Sequence, residues 1–366
     1  MPTLARLAIS GVRNISPETS LEPGPGFNLI FGSNGSGKTS VLEALYLLGM
    51  GRSFRSHLQK PLITHDQPLA TVFGQTTDGL TIGIQRPQRG QQTIKIAGRP
   101  AEGLAQLSRT LPLQLINSDT FQLLEGSPQE RRQFLDWGVF HVEHQFLDYW
   151  RRARQALDQR NMLLRNEASA SEIEPWSYEL AHNAGFINNY RRAYLQQLSA
   201  LLETTLTDVG PPGNHVINIE YLPGWDPEAD LFDQLQDGLA RDRKYGFTTL
   251  GPHKADLRFL LKGLSAAEVL SRGQLKLLIC ALKVVQSQLL VQANGTQSLF
   301  LLDDLPAELD AENRIKVCHL LGGLKAQVFV TSIEQSALAA IAREQADIHS
   351  IGFTQFHVKH GKIDPV

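Results

Sequence analysis

Cysteine is scarce in this sequence, and this scarcity excludes several classes of protein. The 366 residues contain two cysteines, Cys280 and Cys318, each in an apolar segment with helical spacing. They lie too far apart in sequence to read as a metal-binding pair, so we interpret both as reduced core thiols. The histidines form no H-E-x-x-H or similar pattern, which argues against a zinc enzyme.

Long hydrophobic runs are also missing. No stretch of about twenty apolar residues occurs, and the N-terminal segment 1–6 lacks the apolar core of an export signal. We therefore expect a cytoplasmic protein without a membrane partner. The net charge of −2 carries no overall basic signal, so any contact with nucleic acid must come from local basic clusters.

The length and the periodicity predict two lobes. Strand patterns dominate both ends of the chain, and two helical stretches, 128–165 and 176–209, flank a polar break in the middle. Three short strands within 70–96 predict a β meander, 210–213 form a Pro/Gly break, and 353–363 predict a hairpin. We expect segments 1–115 and 264–366 to build one α/β lobe together, and 116–263 to form a mainly helical lobe with a short arm.

A phosphate-binding loop is the strongest motif. Its residues match G-x-x-x-x-G-K-[ST] at every defined position: Gly32, Ser33, Asn34, Gly35, Ser36, Gly37, Lys38 and Thr39. The glycines let successive N–H groups face phosphates, Lys38 reaches the β- and γ-phosphates, and Thr39 offers its hydroxyl to Mg²⁺. An apolar strand precedes the loop and a helix follows it. The sequence therefore predicts an ATP site with magnesium.

A second motif is an apolar strand that ends in two acids, Asp303 and Asp304. A buried parallel strand delivers a carboxylate from its C-terminal end, so Asp303 is predicted to hold Mg²⁺ together with Thr39. Asp304 is placed to orient the attacking water. With Lys38, these acids are the predicted catalytic residues.

The third motif, Ser271, Arg272, Gly273 and Gln274, precedes that strand and begins a helix. Taken alone it fits an ordinary serine N-cap. The order of P-loop, this segment and an acid-ended strand resembles the ABC ATPases, in which the segment caps the γ-phosphate held by a partner subunit. The resemblance implies an ABC-type ATPase lobe and a homodimer that closes on ATP.

Further short strings, in this order, make the chain similar to the RecF family over nearly its whole length: 11–14, 42–48, 51–55, 125–128, 131–136, 251–254, 270–276, 302–304 and 308–310. This resemblance implies a DNA-binding recombination mediator with a weak, DNA-stimulated ATPase. Its ATP-induced dimer would recognise gapped DNA or single-strand/double-strand junctions. With RecO and RecR it would help to load RecA in gap repair and replication-fork maintenance, so the resemblance implies a nucleoid-associated protein.

The resemblance also suggests roles for single residues. Arg13 would lie near the phosphates, as in SMC-type ATPases, although a solvated turn charge explains it equally well. Glu308 and Asp310 would form the D-loop at the dimer interface, the alternative being a plain helix start. Asp304 stands where most ABC enzymes have glutamate, and Thr331 stands where transporters usually have histidine. No glutamine can be assigned to the Q-loop, since 117–119 occupy the expected stretch and Gln122 lies just beyond.

Basic clusters are the candidates for DNA contact. They are Arg52, Arg55, Arg131, Arg132, Arg151 and Arg152, with further clusters at Arg154, Arg191, Arg192, Arg241, Arg243 and Lys244. Each could equally be a solvated helix face. No base-reading motif accompanies them, so we expect salt-dependent contacts to the DNA backbone. Two alternative functions stay open, the ATP-hydrolysing subunit of an ABC transporter and an SMC-like structural clamp, although the short arm disfavours the clamp.

Overall fold

The computed structural model describes residues 3–17, 19–56, 62–209, 216–336, 339, 343 and 352–366. The chain divides into two compact units, 1–121 with 276–366 and 122–275. The sequence predicted boundaries at 115/116 and 263/264. Both boundaries lie later in the structure, at 121/122 and 275/276. The second does so because a short strand beyond residue 263 pairs within the second unit.

The described residues of the first unit include two sheets and the five α-helices named below. The strands are β1 Leu4–Ser10, β2 Thr19–Leu21, β3 Phe27–Phe31, β4 Leu69–Thr76, β5 Thr81–Pro87, β6 Thr93–Ile96, β7 Arg99–Pro100, β8 Leu113–Ile116, β12 Leu299–Leu302, β13 Val328–Ser332, β14 Phe353–Lys359 and β15 Lys362–Pro365. The helices are α1 Lys38–Met50, α2 Leu104–Thr110, α11 Leu305–Glu308, α12 Ala311–Gly323 and most of α10 Arg272–Asn294.

The remaining elements belong to the second unit. Its strands are β9 Ile217–Leu222, β10 Asp256–Leu261 and β11 Leu264–Ser265. Its helices are α3 Gln122–Glu125, α4 Pro128–Val142, α5 Phe146–Arg165, α6 Ala170–Val209, α7 Leu231–Asp237, α8 Leu239–Tyr245 and α9 Ala266–Val269. The Pro/Gly break predicted at 210–213 lies outside the described residues.

A mainly parallel sheet places the P-loop at the centre of the first unit. Its strand order is β15-β14-β3-β13-β12-β8, and every pair is parallel except the β14–β15 hairpin at the edge. β3 therefore has a neighbour on both sides, and its residues Phe27–Ile30 are buried, as the apolar run predicts. The C-terminal ends of β3, β12 and β13 meet at one edge, which brings the loops after them together.

The predicted meander belongs to a separate antiparallel sheet of order β2-β1-β4-β5-β6-β7. Helix α1 packs against β4 and β5 of this sheet and against β8 and β13 of the parallel sheet. Almost all of α1 is buried, so its apolar residues cover more than one face. Gly74 on β4 allows this close approach, because a Cβ there would lie 2.5 Å from Leu48 Cδ2. The predicted α/β class with a meander is thus confirmed.

The second unit is helical with an antiparallel three-stranded sheet, β11-β10-β9. The single helix predicted for 128–165 is in fact two, because the chain breaks between α4 and α5 at 143–145. The second long helix begins earlier than predicted, at Ala170, and forms the arm with α5. Arg160 is fully buried and ties α5 to α8 through a 2.7 Å bond to Asp242.

Helix α10 is the one helix of the described residues long and apolar enough to cross a membrane by length and composition. In the window concerned, 72% of the helix is buried inside the protein. Cys280 is buried on this helix, and burial raises the pKa of its thiol to about 12. Both cysteines are buried, in keeping with core thiols.

Candidate nucleotide-binding site

The P-loop connects the buried strand β3 to helix α1 with glycines in conformations that other residues rarely adopt. Gly35 and Gly37 have φ of 75° and 119°. A Cβ on Gly32 would lie 2.2 Å from the carbonyl oxygen of Val358, so β14 leaves room for glycine alone. The loop reaches the N-terminus of α1 at Gly37, where free N–H groups and the helix dipole favour an anion.

Lys38 is buried at the start of α1, and its ammonium group points back to the loop. Nζ donates hydrogen bonds to the carbonyl oxygens of Gly32 at 2.8 Å and Ser33 at 3.0 Å. Burial lowers the pKa of Lys38, while the nearby Asp304 and Asp303 carboxylates oppose that shift. The ammonium group is therefore held by two neutral carbonyl acceptors. A charged phosphate oxygen would be a stronger acceptor and can replace them.

Thr39 and Asp303 lie together, as a magnesium site requires. The Thr39 hydroxyl donates to Asp303 Oδ1 over 3.1 Å, although 264 residues separate the two in sequence. A hydroxyl and a carboxylate are hard oxygen ligands of the kind that Mg²⁺ prefers. The donor set fits magnesium, and both residues were predicted as its ligands.

Thr331 joins the two acids. Its hydroxyl donates to Asp303 Oδ1 at 2.8 Å and accepts a hydrogen bond from the Asp304 N–H at 2.8 Å. Thr331 is fully buried near the end of β13, beside β12. A residue whose role the sequence left open thus orients both acidic residues.

Asp304 is held in a left-handed conformation, with φ of 50° and ψ of 46°. Such a conformation is unfavourable for a residue with a Cβ, and it occurs where surrounding structure fixes the backbone. Burial raises the pKa of Asp304, the Asp303 carboxylate raises it further, and Lys38 opposes both. A carboxyl group with a raised pKa beside a P-loop is suited to accept a proton or orient a water.

Arg13 lies in the same site, paired with a buried carboxylate. Its Nε and Nη2 each bond Glu43 of α1 at 2.7 Å, and the Glu43 side chain is fully buried. Ser53 also donates to Glu43, and its hydroxyl accepts the N–H groups of Arg55 and Ser56. Arg13 is therefore not a solvated turn charge, which was the alternative.

A cavity of about 560 Å³ collects these groups. Its lining residues are Arg13, Asn14, Asn34, Gly35, Gly37, Lys38, Thr39, Ser40, Arg55, Ile63, Asp303, Asp304 and Thr331, all in the first unit. Asn14 donates to the Gly35 carbonyl at 2.9 Å and accepts from Ser40 at 2.8 Å, which holds the loop over the helix. The volume suits a nucleotide.

Arg55 is exposed and lines the P-loop cavity. The sequence placed it with Arg52 in a cluster for DNA, and that role stays a prediction. The turn at 53–56, capped by Ser53, brings it there. Asn14, Glu43, Ser53 and Thr331 also have roles that the motifs did not reveal. The string 51–55 was the available signal, and only folding shows what it contacts.

The signature segment forms an exposed helix start. The Gln274 N–H donates to Ser271 Oγ at 3.3 Å, and Gln274 Oε1 accepts the Ser271 N–H at 2.9 Å. This reciprocal cap is the serine N-cap expected from the sequence. Ser271 and Arg272 are exposed, and Gly273 is half-buried. The segment is thus fixed in shape and accessible.

The two predicted D-loop acids have contacts within the chain. Glu308 accepts a 2.7 Å bond from Lys276 of α10, and Asp310 caps α12 by accepting the Asn313 N–H at 2.9 Å. The Asn313 bonds lower the pKa of Asp310. Asn117, in the stretch considered for the Q-loop, bonds only to Thr120 in its own turn among the contacts of the described chain.

The basic clusters separate into arginines that bond within the second unit and exposed charges. Arg131 makes a bidentate pair with Asp256 at 2.7 and 3.1 Å, and Arg132 donates to the Ala255 carbonyl at 2.8 Å. Arg191 is buried and pairs with Asp136 at 2.9 Å. These three residues bond within the second unit, so we do not propose them as DNA contacts. The exposed members are Arg52, Arg55, Arg151, Arg152, Arg154, Arg192, Arg241, Arg243 and Lys244.

Comparison with known proteins is consistent with this geometry. Residues 3–351 match the family model described as RecF/RecN/SMC N terminal domain. The chain is 47% identical to the DNA replication and repair protein RecF of Stutzerimonas stutzeri, with 99% of this chain and 97% of that protein aligned. It is 45% identical to the RecF of Pseudomonas aeruginosa strain LESB58, again over 99% of this chain and 97% of that protein.

Two solved structures share the fold. One is the recombination mediator protein RecF with ATP in the RecFOR pathway, with a TM-score of 0.86, 25% identity and 100% of this chain and 98% of that chain covered. The other is an Smc head domain from Pyrococcus furiosus, with a TM-score of 0.58 and 16% identity, covering 100% of this chain and 96% of that chain. The latter supports the fold alone.

Proposed function

Since the chain belongs to the RecF family, we propose that it is a recombination mediator of the RecFOR pathway that uses ATP to close a dimer on DNA. It recognises gapped DNA or a single-strand/double-strand junction in the cytoplasm, at the nucleoid. With RecO and RecR it helps to load RecA during gap repair and replication-fork maintenance. The observation that carries the proposal is the Thr39–Asp303 pair beside Lys38 and Asp304.

The site's own residues support slow hydrolysis. Lys38 exchanges its loop carbonyls for phosphate oxygens, and the N–H groups before α1 hold the remaining negative charge. Thr39 and Asp303 hold Mg²⁺, which neutralises charge on the phosphates when bound. Asp304 orients the attacking water, and its side chain is shorter than glutamate, which fits slow turnover. Arg13 and Arg55 are positioned to contact the nucleotide.

The composite dimer is supported by where the signature lies. The P-loop cavity is lined by first-unit residues, while Ser271 and Gly273 are at the exposed start of α10. We assign the capped serine and the helix N-terminus to the γ-phosphate held by the other protomer. Glu308 and Asp310 then lie at the dimer contact. Nucleotide thus becomes part of the interface, so ATP and dimerisation are linked.

DNA binding rests on the exposed arginines. Arg151 and Arg152 are adjacent, exposed residues of α5, and they suit phosphate contacts without base readout. Binding of this kind weakens as salt displaces the released counterions. Relatives named RecF align along nearly the full chain, which does not favour a transporter subunit.

The decisive experiment measures oligomeric state and DNA affinity with and without ATP and Mg²⁺. We expect monomers without nucleotide, dimers with ATP, and tighter binding of gapped duplex in the dimeric state. Lys38→Met is the matched control, because it should leave the fold intact and remove both effects. If ATP neither dimerises the wild-type protein nor strengthens binding to gapped DNA, the proposed switch is wrong.

A further inference from the structure

A continuous row of aromatic rings lies on the surface of the second unit. Helix α6 contributes rings at four-residue intervals: Tyr178, His182, Phe186 and Tyr190. Phe232 of α7 meets the Tyr178 ring edge-on with centroids 6.1 Å apart, and Tyr149 of α5 stacks on Phe186 at 4.2 Å. Contacts of Tyr178 with His182 and of His182 with Phe186, at 6.1 and 5.3 Å, close the row.

These rings are more exposed than folding requires. Tyr178 is 58% exposed and Phe186 is 37% exposed, whereas Leu180 and Ile187 on the same helix are buried. The buried side already attaches α6 to the unit. A contiguous exposed set of large aromatic side chains is typical of a surface that contacts another molecule.

The two ends of this row differ in charge: the Tyr178 end has acids near it in sequence, whereas at the other end Arg151 and Arg152 follow Tyr149 and Arg192 follows Tyr190. No lysine or arginine occurs in 166–190 or in 193–240, the segments that supply the rings on α6 and α7. Five acids lie near Tyr178 or Phe232 along the chain: Glu172, Glu174, Glu179, Asp230 and Asp233. We call the six rings with these acids the acidic aromatic face. A partner that matches its charge is basic.

A cleft at the end of the face shows which side chain it suits. The cleft has a volume of about 360 Å³ and is lined by Ser171, Glu174, Pro175, Tyr178, Glu179 and Phe232. Aromatic rings and carboxylates together favour a guanidinium or ammonium group, through the ring faces and through charged hydrogen bonds. The rings beyond the cleft suit apolar side chains.

We infer that the acidic aromatic face binds a basic, apolar segment of a partner protein. An arginine or lysine of that segment enters the cleft between Glu174, Glu179 and Tyr178, and its apolar residues lie on His182 and Phe186. DNA is a poor occupant of the cleft because its phosphates are repelled by Glu174 and Glu179. The same face of a second copy is a poor occupant too, since it carries the same charge.

The test uses the full-length protein and a fluorescein-labelled peptide of alternating arginine and tryptophan. Fluorescence anisotropy should detect binding to the wild type and not to a peptide with glutamate in place of arginine. Tyr178→Ala/Phe186→Ala and Glu174→Lys/Glu179→Lys should each weaken binding of the basic peptide at least about tenfold, as expected when anchor residues are lost. If Tyr178→Ala/Phe186→Ala fails to fold, the peptide affinity of Glu174→Lys/Glu179→Lys tests the inference.

Matched controls come from the same unit. Tyr245 is 57% exposed on α8, and Glu203 is exposed on α6 away from the rings, so Tyr245→Ala and Glu203→Lys should bind the peptide like the wild type. ATP-dependent dimerisation and binding to gapped DNA should persist in both test variants, which separates this inference from the proposed function. Absent peptide binding to the wild type would overturn it. Peptide binding by both test variants that equals binding by the wild type would also overturn it. So would a loss of DNA binding or of ATP-dependent dimers in the test variants.

Discussion

The Thr331 hydroxyl bonds Asp303 Oδ1 over 2.8 Å and accepts the Asp304 N–H, so one side chain on β13 orients both acids that follow β12. The neighbouring strand thereby fixes the candidate metal ligand and the backbone of the candidate catalytic acid. This relationship explains why a threonine suits a position where transporters usually have histidine. The contribution of the Thr331 hydroxyl to ATP turnover and stability can be measured by substitution.

Thr331→Val keeps the shape of the side chain and removes both hydrogen bonds. We expect ATP turnover to fall roughly 10- to 100-fold, as for other residues that orient a ligand from behind. Leaving the buried partners unsatisfied should also lower the free energy of unfolding by about 1–3 kcal/mol. Thr331→Ser retains the hydroxyl and should retain most of the turnover. Equal turnover of the valine variant and the wild type would contradict the role assigned to the hydroxyl.

The pair of Arg13 and Glu43 can be tested by comparing one substitution with two. Arg13→Ala leaves the buried Glu43 carboxylate without its cation, and we expect a loss of about 3–5 kcal/mol in unfolding free energy. Adding Glu43→Gln removes the stranded charge and should recover part of that loss. Urea unfolding measures both. A double variant that is less stable than Arg13→Ala would mean that the carboxylate does not depend on Arg13.

Asp304→Asn should raise stability while it abolishes turnover. Because the folded protein raises the pKa of Asp304, the stabilisation from its protonated form is present at low pH and is lost as pH rises through that pKa. At pH 7 the charged carboxyl group is therefore unfavourable, and asparagine removes that cost. The variant should have a higher melting temperature than the wild type at pH 7, and the difference between the two melting temperatures should become smaller in acid.

The same variant should bind ATP and remain a closed dimer, because the water is no longer oriented. Size-exclusion chromatography after ATP addition would show dimers that persist longer than those of the wild type. Asp119→Asn, an exposed acid outside the cavity, is the control for the melting temperature. A lower melting temperature for Asp304→Asn at pH 7 would show that the charge is stabilising.

His253 should make the protein less stable in mild acid. Burial lowers the pKa of its imidazole from 6.5 to about 4, and Nε2 lies 3.0 Å from the Thr248 carbonyl oxygen. The stabilisation is full above pH 6.5 and is lost as pH falls from 6.5 to about 4, because the unfolded chain takes up a proton first. The loss should reach roughly 3 kcal/mol.

His253→Gln has no proton to gain and should flatten this pH dependence between pH 7 and 5, measured by urea unfolding. His65→Gln, at a histidine side chain that is 93% exposed, is the matched control and should keep the wild-type slope. If the unfolding free energy of His253→Gln falls with pH as steeply as that of the wild type, the acid sensitivity comes from other groups.

The composite site predicts complementation between two inactive variants. Lys38→Met disables the P-loop and Ser271→Arg disables the signature, so each homodimer should lack ATPase activity. A mixed dimer carries both substitutions in one site and leaves the other intact. Mixing should restore part of the activity, measured as phosphate release. No recovery in dimers proven to be mixed would mean that the sites act within one chain or are coupled.

Local chemistry determined much of the site in advance. The P-loop, the acid-ended strand and the serine-capped helix each depend on a short run of residues, so the sequence predicted them and their order. The helical lobe was less well predicted. The break at 143–145 has weak turn chemistry, and strand β11 depends on its pairing with β10, which a periodicity within one segment cannot reveal.

By itself, the sequence determined the α/β class, the P-loop and the acids Asp303 and Asp304. Only the tertiary structure decided that Thr331 orients those acids, that Arg55 lines the nucleotide cavity, and that Arg131 and Arg191 are internal ion pairs. The physical reason is distance along the chain. A motif specifies its own backbone, whereas the partner of a buried charge is chosen by strands and helices that meet only on folding.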